Sequence, residues 1–146
     1  MSFKDLGVNP ALVKALVAAG IEKPFPIQKA TLPDAISGKD ILGKGQTGSG
    51  KTLAFGLAVL TRLAGKRAKA NQPLALILAP TRELAMQVAN EATKFTKHIP
   101  FVKTVCIYGG APYPVQNKML SRPYDILVAT PGRLMDHMDR QRISLA

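Results

Sequence analysis

Eight consecutive residues have the types and spacing needed to hold a chain of phosphates. They read GQTGSGKT and fit the pattern G-x-x-x-x-G-K-[ST]. Small residues let backbone N–H groups curl around phosphate oxygens, the Lys51 ammonium can reach the β and γ phosphates, and the Thr52 hydroxyl can bind Mg²⁺. The pattern therefore predicts a nucleoside triphosphate with Mg²⁺, and Lys51 and Thr52 are the predicted catalytic residues. The predicted nucleotide contacts are Gly45, Gln46, Thr47, Gly48, Ser49, Gly50, Lys51 and Thr52.

Such a loop needs a strand before it and a helix after it. Asp40 to Leu42 is a short apolar strand candidate, and Leu53 to Leu63 carries leucines at helical intervals. An ordinary glycine-rich turn is the alternative, and this context argues against it.

Three further strand candidates follow the loop, at Leu74 to Ala79, Val102 to Tyr108 and Asp125 to Ala129. Their continuous apolar runs are typical of strands buried on both faces, and helical patterns separate them. We therefore expect an α/β fold with a largely parallel sheet flanked by helices. Binding residues should cluster beyond the carboxyl ends of its strands.

Several residues mark the ends of helices. Asn9-Pro10 predicts a helix start, Gly20 predicts the end of that helix, and Thr130-Pro131 predicts another start. Pro33 is expected to break the helical stretch after Gln28.

Composition narrows the class of protein. The 146 residues suit one domain, and no apolar run is long enough to span a bilayer. A net charge of +11 favours a polyanionic partner, although the basic cluster Lys66, Arg67 and Lys69 is also explained as a solvated loop. Cys106, the only cysteine, is expected to be a buried core residue in a reducing, cytoplasmic setting. His98 and His137 lack metal-site spacing, and we interpret them as solvated or capping.

Three clusters fall where the sheet should present binding loops. Pro80, Thr81, Arg82, Glu83 and Leu84 follow the second strand candidate, Gly109 and Gly110 the third, and Thr130, Pro131, Gly132 and Arg133 the fourth. Helix-start N–H groups, a threonine hydroxyl and arginines suit phosphate oxygens. For both arginines an ion pair, with Glu83, Asp136 or another carboxylate, remains the structural alternative.

In this order, PTREL, GG and TPGR together with the phosphate loop resemble motifs Ia, GG, Ib and I of the DEAD-box RNA helicases. That resemblance implies a RecA-like P-loop NTPase fold, ATP with Mg²⁺, and RNA held by its backbone without sequence reading. The stretch from Gly20 to Gln28, with Phe3 placed 17 residues before Gly20, resembles the Q motif of the family. By this resemblance Gln28 and Phe3 recognise adenine, although Ile21 and Phe25 depart from the usual residue types.

The chain lacks an apolar strand that ends in an Asp-Glu pair, which P-loop enzymes use for Mg²⁺ and the attacking water. By resemblance, the DEAD and SAT motifs and the second RecA-like domain would follow residue 146. We therefore expect an incomplete sheet, low stability or self-association through exposed edges. The predicted parts are a lead-in at 1–38 and a P-loop core at 39–146.

Three functional hypotheses remain open at this point. The first is the ATP- and RNA-binding part of an ATP-dependent RNA helicase. The second is a non-catalytic nucleotide- or RNA-binding module. The third is an unrelated P-loop enzyme in which PTREL and TPGR are accidental.

Overall fold

The structure is a computed structural model that describes residues 2–45, 50–63, 72–95 and 102–145. The predicted nucleotide contacts at 46–49, the basic cluster at 66–69 and His98 lie outside these ranges. The helices and strands are α1 (Pro10–Ala18), α2 (Pro26–Ile36), α3 (Lys51–Leu63), β1 (Ala75–Leu78), α4 (Arg82–Phe95), β2 (Thr104–Ile107), α5 (Tyr113–Leu120), β3 (Ile126–Ala129) and α6 (Pro131–Asp139).

The described residues form two compact units. The first contains residues 2–45, 50–63 and 95, and the second contains residues 72–94 and 102–145. The predicted lead-in and the helix after the phosphate loop belong to the same unit. The division at residues 38 and 39 stays a prediction.

In the first unit, helix α1 has the predicted ends. The Asn9 side chain accepts a 2.9 Å hydrogen bond from the Ala11 N–H, and Pro10 occupies the first turn. After the helix, Gly20 adopts the left-handed φ of +79° that favours glycine. Both of these predicted helix ends are confirmed.

Helix α2 runs through Pro33, so the prediction that Pro33 ends this helix is wrong. A proline within a helix removes one backbone hydrogen bond, here the bond to the Lys29 carbonyl. Both Pro33 and Lys29 are exposed, so water can satisfy that carbonyl. On the other face Leu32 is fully buried, and α2 packs against α3. Burial of this face stabilises the helix despite the proline.

The predicted strand at Asp40 to Leu42 is wrong, because these residues form neither a helix nor a strand. Ile41 is 40% exposed and Leu42 is 85% exposed. A strand needs a hydrogen-bonded neighbour, and no neighbour pairs with this segment among the described residues. The helix predicted after the loop is confirmed: Leu57, Leu60 and Leu63 are buried along α3.

The second unit contains a three-stranded sheet in the order β1-β3-β2, and both pairs are parallel. The register places Ala75 and Thr104 beside Ile126 from opposite sides. All four residues of β3 are buried, as expected for the central strand. The three strand candidates that follow the phosphate loop are thus confirmed, with shorter ends than predicted.

Asp125 fixes the amino end of the sheet. Its carboxylate accepts a 2.8 Å hydrogen bond from the Lys103 N–H, and its carbonyl accepts from Leu74 and Ala75 at 2.9 and 3.0 Å. A buried carboxylate is tolerated when such hydrogen bonds satisfy it. One residue therefore ties β3 to the chain entering both neighbouring strands.

The core of this unit lies beside β2 and β3. It consists of Val105, Ile107, Leu120, Tyr124, Leu127, Ala129, Leu134 and Ile143. Cys106 points the other way from its neighbours along β2 and is only partly buried, so the prediction of a buried core cysteine is wrong. Burial still raises the pKa of its thiol. None of the described helices is long and apolar enough to cross a membrane.

Candidate functional site

The two ends of the phosphate loop are described, and they meet through Lys51. The Lys51 ammonium donates a hydrogen bond to the Gly45 carbonyl. Gly50, at the start of α3, has a φ of +88°, which favours glycine. The side chain of Thr52 lies outside the described part of the chain, and so do Gln46, Thr47, Gly48 and Ser49.

Gln28 connects the lead-in to this loop. Its Nε2 donates to the Gly50 carbonyl at 3.2 Å, and its Oε1 accepts from the Phe25 N–H at 2.8 Å. The second bond satisfies a free N–H at the start of α2, as the glutamine of a capping box does. Gln28 is only 2% exposed. Among the described residues, each end of its amide makes one of the two hydrogen bonds that it can form.

Contact between Gly50 and the lead-in is close enough to exclude any side chain. A Cβ at this position would lie 2.5 Å from Gln28 Nε2 and 2.7 Å from Phe25 Cδ2. Phe25 is 51% exposed, whereas the predicted adenine contact Phe3 is 2% exposed. As it stands, the structure brings Gln28 to the loop but keeps the ring of Phe3 covered.

A cavity of about 200 Å³ adjoins the loop. Its walls are mainly apolar, with the Lys51 side chain as the charged group. The other lining residues are Ile27, Thr31, Ile41, Gly43, Ala54 and Phe55. Three groups here suit the phosphates of a nucleotide. They are the Lys51 ammonium, the backbone of Gly50 with its left-handed φ, and the start of helix α3.

Among the residues that the structure describes, no group of three His, Cys, Asp or Glu side chains could hold a metal.

In the second unit, the three predicted RNA-binding loops lie at the same edge of the sheet. They follow the carboxyl ends of β1, β2 and β3, which are parallel neighbours. A Cβ on Gly110 would lie 3.7 Å from Arg82 Nη1, which shows that the first and second loops approach each other. The Thr130 N–H donates to the Ile107 carbonyl at 3.1 Å, which joins the third loop to the end of β2.

The first loop presents its polar groups to solvent. Thr81 Oγ1 accepts a 3.2 Å hydrogen bond from the Leu84 N–H and so caps the start of α4. Arg82 Nη2 lies 3.5 Å from Glu83 Oε1, with both side chains more than half exposed. The ion pair that we kept as an alternative thus forms, but an exposed pair of this kind stabilises by only about 0–1 kcal/mol. It leaves Arg82 able to exchange Glu83 for a phosphate.

Arg133 is held differently. Its Nη1 donates to the Ala111 carbonyl at 2.9 Å and to Gln116 Oε1 at 3.0 Å, and its guanidinium lies 4.1 Å from the centre of the Tyr113 ring. Asp136, the partner considered for it, instead accepts from the Tyr113 hydroxyl and lies 3.4 Å from Arg140 Nε. The hydrogen bond between Tyr113 and Asp136 lowers the pKa of the Asp136 carboxyl and raises the pKa of the Tyr113 hydroxyl.

His137 is fully buried in this cluster, so its interpretation as a solvated or capping residue is wrong. Its Nε2 lies 3.0 Å from Gln116 Oε1, and its Nδ1 lies 3.5 Å from Arg142 Nη1. Burial lowers the pKa of the imidazole, and the positive charges of Arg142 and Arg133 lower it further.

Sequence reasoning missed Gln116 and Tyr113. A signal was available in α5: Gln116 stands four residues before Leu120, on the same face of the helix, and it is only 1% exposed. A polar residue on the apolar face of a helix needs a hydrogen-bonding partner. Its partners, Tyr108, Arg133 and His137, could be identified only from the structure.

Taken together, a phosphate-loop helix and a parallel sheet with polar loops at its carboxyl edge define a P-loop α/β protein. A family profile described as DEAD/DEAH box helicase matches residues 25–145. The chain therefore belongs to the DEAD/DEAH box helicase family.

Individual relatives agree with this family. The chain is 44% identical to the mitochondrial DEAD-box ATP-dependent RNA helicase 9 of Arabidopsis thaliana, aligned over 100% of this chain and 24% of that protein. It is 46% identical to the ATP-dependent RNA helicase DeaD of Escherichia coli K12, over 99% of this chain and 23% of that protein. The chain thus spans about a quarter of the length of these relatives.

A solved structure gives the same result for the fold. The crystal structure of the RNA helicase Prp28 from Chaetomium thermophilum bound to ADP matches with a TM-score of 0.87 at 39% identity. The match covers 97% of this chain and 35% of that one. The predicted RecA-like α/β class is confirmed.

Proposed function

We propose that this chain is the ATP- and RNA-binding part of an ATP-dependent RNA helicase. The observation that carries the proposal is the Gln28 amide, which connects the predicted adenine-recognising segment directly to Gly50 of the phosphate loop. An amide has a donor and an acceptor side by side, which matches the edge of adenine and favours ATP over GTP. The relatives named above are called ATP-dependent, and Prp28 was solved with ADP.

The proposed nucleotide contacts are those predicted from the sequence. The hydrogen bonds from Gln28 to Gly50 and from Lys51 to Gly45 support this proposal, and Thr52 would complete Mg²⁺ binding through the nucleotide. Phe3 is proposed to contact adenine only after its ring becomes uncovered. When bound, ATP with Mg²⁺ would supply the phosphoryl group and the cation that hydrolysis requires.

RNA is the proposed second ligand, held at the carboxyl edge of the sheet. The side chains of Thr81 and Arg82 and the backbone of Gly109 and Gly110 can contact phosphates without reading bases. The other proposed contacts are Pro80, Glu83, Thr130, Pro131, Gly132 and Arg133. A net charge of +11 supports a polyanionic ligand.

A second candidate function is a non-catalytic binding module. The observation that favours it is the position of the carboxylates: Asp125 precedes β3 instead of following it, and none of the described strands ends in a carboxylate. We therefore propose that this chain alone turns over ATP negligibly and that hydrolysis requires groups from the rest of a helicase, including a second RecA-like domain. Steady-state ATP hydrolysis by the wild-type chain that is abolished in Lys51→Ala would refute the hypothesis of a non-catalytic module.

The proposal also includes self-association and a cytoplasmic location. Self-association is supported by apolar side chains at the outer strand β1, where Leu74 is 39% and Leu78 is 54% exposed. A cytoplasmic location is supported by the single cysteine, which suits a reducing compartment.

RNA binding can be tested with a fluorescent single-stranded oligonucleotide and anisotropy at several salt concentrations. Binding should weaken as salt rises, and Arg82→Ala should reduce the slope of log K against log salt by about 0.7, the value for one lost phosphate contact on a single strand. The matched control is Arg122→Ala. Arg122 is exposed and precedes β3, so it lies at the opposite end of that strand. Equal slopes for both variants, or no binding by the wild type, would contradict the proposed RNA site.

A further inference from the structure

The side-chain amide of Gln116 makes three hydrogen bonds inside the second unit. Its Nε2 donates to the Tyr108 carbonyl at 3.0 Å, while its Oε1 accepts from Arg133 Nη1 and faces His137 Nε2, each at 3.0 Å. A carbonyl can only accept and an arginine can only donate, so the orientation of the amide is fixed by its partners. His137 must then carry its proton on Nε2.

These bonds hold both sides of the two-glycine turn. Tyr108 immediately precedes Gly109, and Ala111 immediately follows Gly110. Gln116 binds the carbonyl on the first side, and Arg133 binds the carbonyl on the second side at 2.9 Å. Since Gln116 also binds Arg133, the two sides of the turn are joined through one buried amide and one guanidinium.

Such a turn needs an external restraint. Two adjacent glycines lose more conformational entropy on ordering than any other pair, and Gly110 has a φ of +92° that only glycine adopts readily. Both glycines are exposed, so packing around them does not hold them. Phosphate recognition by backbone N–H groups requires these groups to point in one direction before the ligand arrives.

We propose that Gln116 is a positioning residue that fastens the Gly109-Gly110 turn to helix α6 through Arg133, and so preorganises the edge of the sheet that binds RNA. The inference rests on the proposed RNA-binding function. It assigns to Gln116 a role that acts through Arg133 and the turn, without contact to RNA. It also explains why Arg133 turns one nitrogen inward, to Ala111 and Gln116, where the predicted role would have it face a phosphate.

Tyr113 and His137 support the same arrangement. The Tyr113 ring stacks against the Arg133 guanidinium. Its hydroxyl donates to Asp136, which lies one helical turn after Arg133 on α6. His137 donates to Gln116 from Nε2 and accepts from Arg142 with Nδ1. The Gln116 amide therefore has fixed neighbours on both sides, which limits its rotation.

The first test measures the turn itself by amide hydrogen exchange at residues 109–111, using the whole chain. Gln116→Leu removes all three bonds, and exchange there should accelerate at least about fivefold, as expected when a local restraint is lost. The matched control is Gln87→Leu, the same change at an exposed position of α4. Unchanged exchange in Gln116→Leu, or an equal change in Gln87→Leu, would overturn the proposal.

A second variant keeps the test decisive if Gln116→Leu does not fold. In Gln116→Glu the carboxylate can still accept from Arg133 and His137 but cannot donate to Tyr108. Exchange at residues 109–111 should again accelerate, and NMR titration should show a raised pKa for His137, because a carboxylate stabilises the imidazolium. A His137 pKa that stays at its wild-type value, with unchanged exchange, would overturn the proposal.

RNA affinity then separates this proposal from the function on which it rests. With a fluorescent oligouridylate, Gln116→Leu should bind about tenfold more weakly than wild type, while Gln87→Leu should bind equally well. Faster exchange together with no binding by the wild type would leave the restraint by Gln116 standing and refute the RNA-binding function. Faster exchange with unchanged RNA affinity would overturn the positioning role.

Discussion

Gln28 and Gly50 are 22 positions apart in the sequence and are joined by a 3.2 Å hydrogen bond from the Gln28 amide to the Gly50 carbonyl. The same amide satisfies the Phe25 N–H at the start of α2. A residue that the sequence nominates for adenine recognition is therefore also part of the support of the phosphate loop. Loss of nucleotide binding in a Gln28 variant has two possible causes, which two readouts can separate.

Gln28→Leu should weaken nucleotide binding and lower stability. The change leaves the Phe25 N–H and the Gly50 carbonyl without this partner, which costs about 1–3 kcal/mol for a buried group. Urea denaturation measures the stability, and competition between ATP and GTP measures the specificity. Gln87→Leu serves as the exposed control. Unchanged preference for ATP over GTP would show that Gln28 supports the loop without recognising adenine.

Gly50→Ala should destabilise the chain and abolish nucleotide binding. The added Cβ would lie 2.5 Å from Gln28 Nε2, which two hydrogen bonds hold in place, and φ is +88°. Gly56→Ala is a control with the opposite sign: it lies within α3 with nothing within 4 Å of an added Cβ. It should stabilise by about 0.5–1 kcal/mol, because alanine favours a helix over glycine. Equal urea midpoints for the two variants would contradict the described contact.

Acid should destabilise the second unit through His137. Burial of the imidazole is the largest cause that lowers its pKa below the ordinary 6.5, and the positive charges of Arg142, Arg133 and Arg140 lower it further. The negative charge of Asp136 raises the pKa, but its effect is smaller than the combined lowering. The folded state thus binds this proton more weakly than the unfolded state. Its contribution to stability is complete above pH 6.5 and is lost as pH falls through the lowered pKa.

Urea midpoints between pH 7.5 and pH 5 measure this effect, and the decline should be smaller in His137→Phe. NMR titration of the wild type gives the pKa directly. A value for His137 above 6.5 would contradict the described surroundings of the imidazole.

The Tyr124 hydroxyl is buried without a hydrogen-bonding partner among the described residues. Tyr124→Phe removes this unsatisfied group, so stability should stay equal or rise by up to about 1 kcal/mol. Tyr113→Phe is the contrasting control, because it removes the bond to Asp136 and should destabilise. Burial also raises the pKa of Tyr124 to about 12, so wild-type stability should decline between pH 10 and pH 12 and decline less in Tyr124→Phe. A marked loss of stability in Tyr124→Phe at pH 7 would contradict this account.

Local patterns predicted much of the fold. The start of α1 is marked by Asn9-Pro10 through capping, and its end by Gly20 through backbone conformation. Both effects depend on neighbouring residues alone. The strands were also recognisable from their continuous apolar runs, which in β3 reflect burial on both faces. Features that depend on distant partners were not predictable in this way. Ile41 and Leu42 have the residue types of a strand, but they lack a strand to pair with among the described residues. Helix α2 continues through Pro33 because its buried face packs against α3.

The site divides in the same way. The phosphate-loop pattern was recognisable from its spacing, and the three clusters at the sheet edge were located by their positions after strand candidates; their binding roles stay predictions. One inward hydrogen bond of Arg133 and the contact of the buried His137 both involve Gln116, a residue from another helix. Sequence intervals contain no information about such contacts between helices.

Nucleotide binding by the chain itself tests the central claim most directly. Fluorescent ADP and ATP with Mg²⁺ would be titrated against wild type, Lys51→Ala and the control Lys14→Ala, an exposed lysine on α1, with GTP as competitor. We expect saturable binding that GTP displaces poorly, that Lys51→Ala abolishes and that Lys14→Ala preserves. Absence of binding by the wild type, or equal binding by Lys51→Ala, would contradict the assignment of a nucleotide site to this chain.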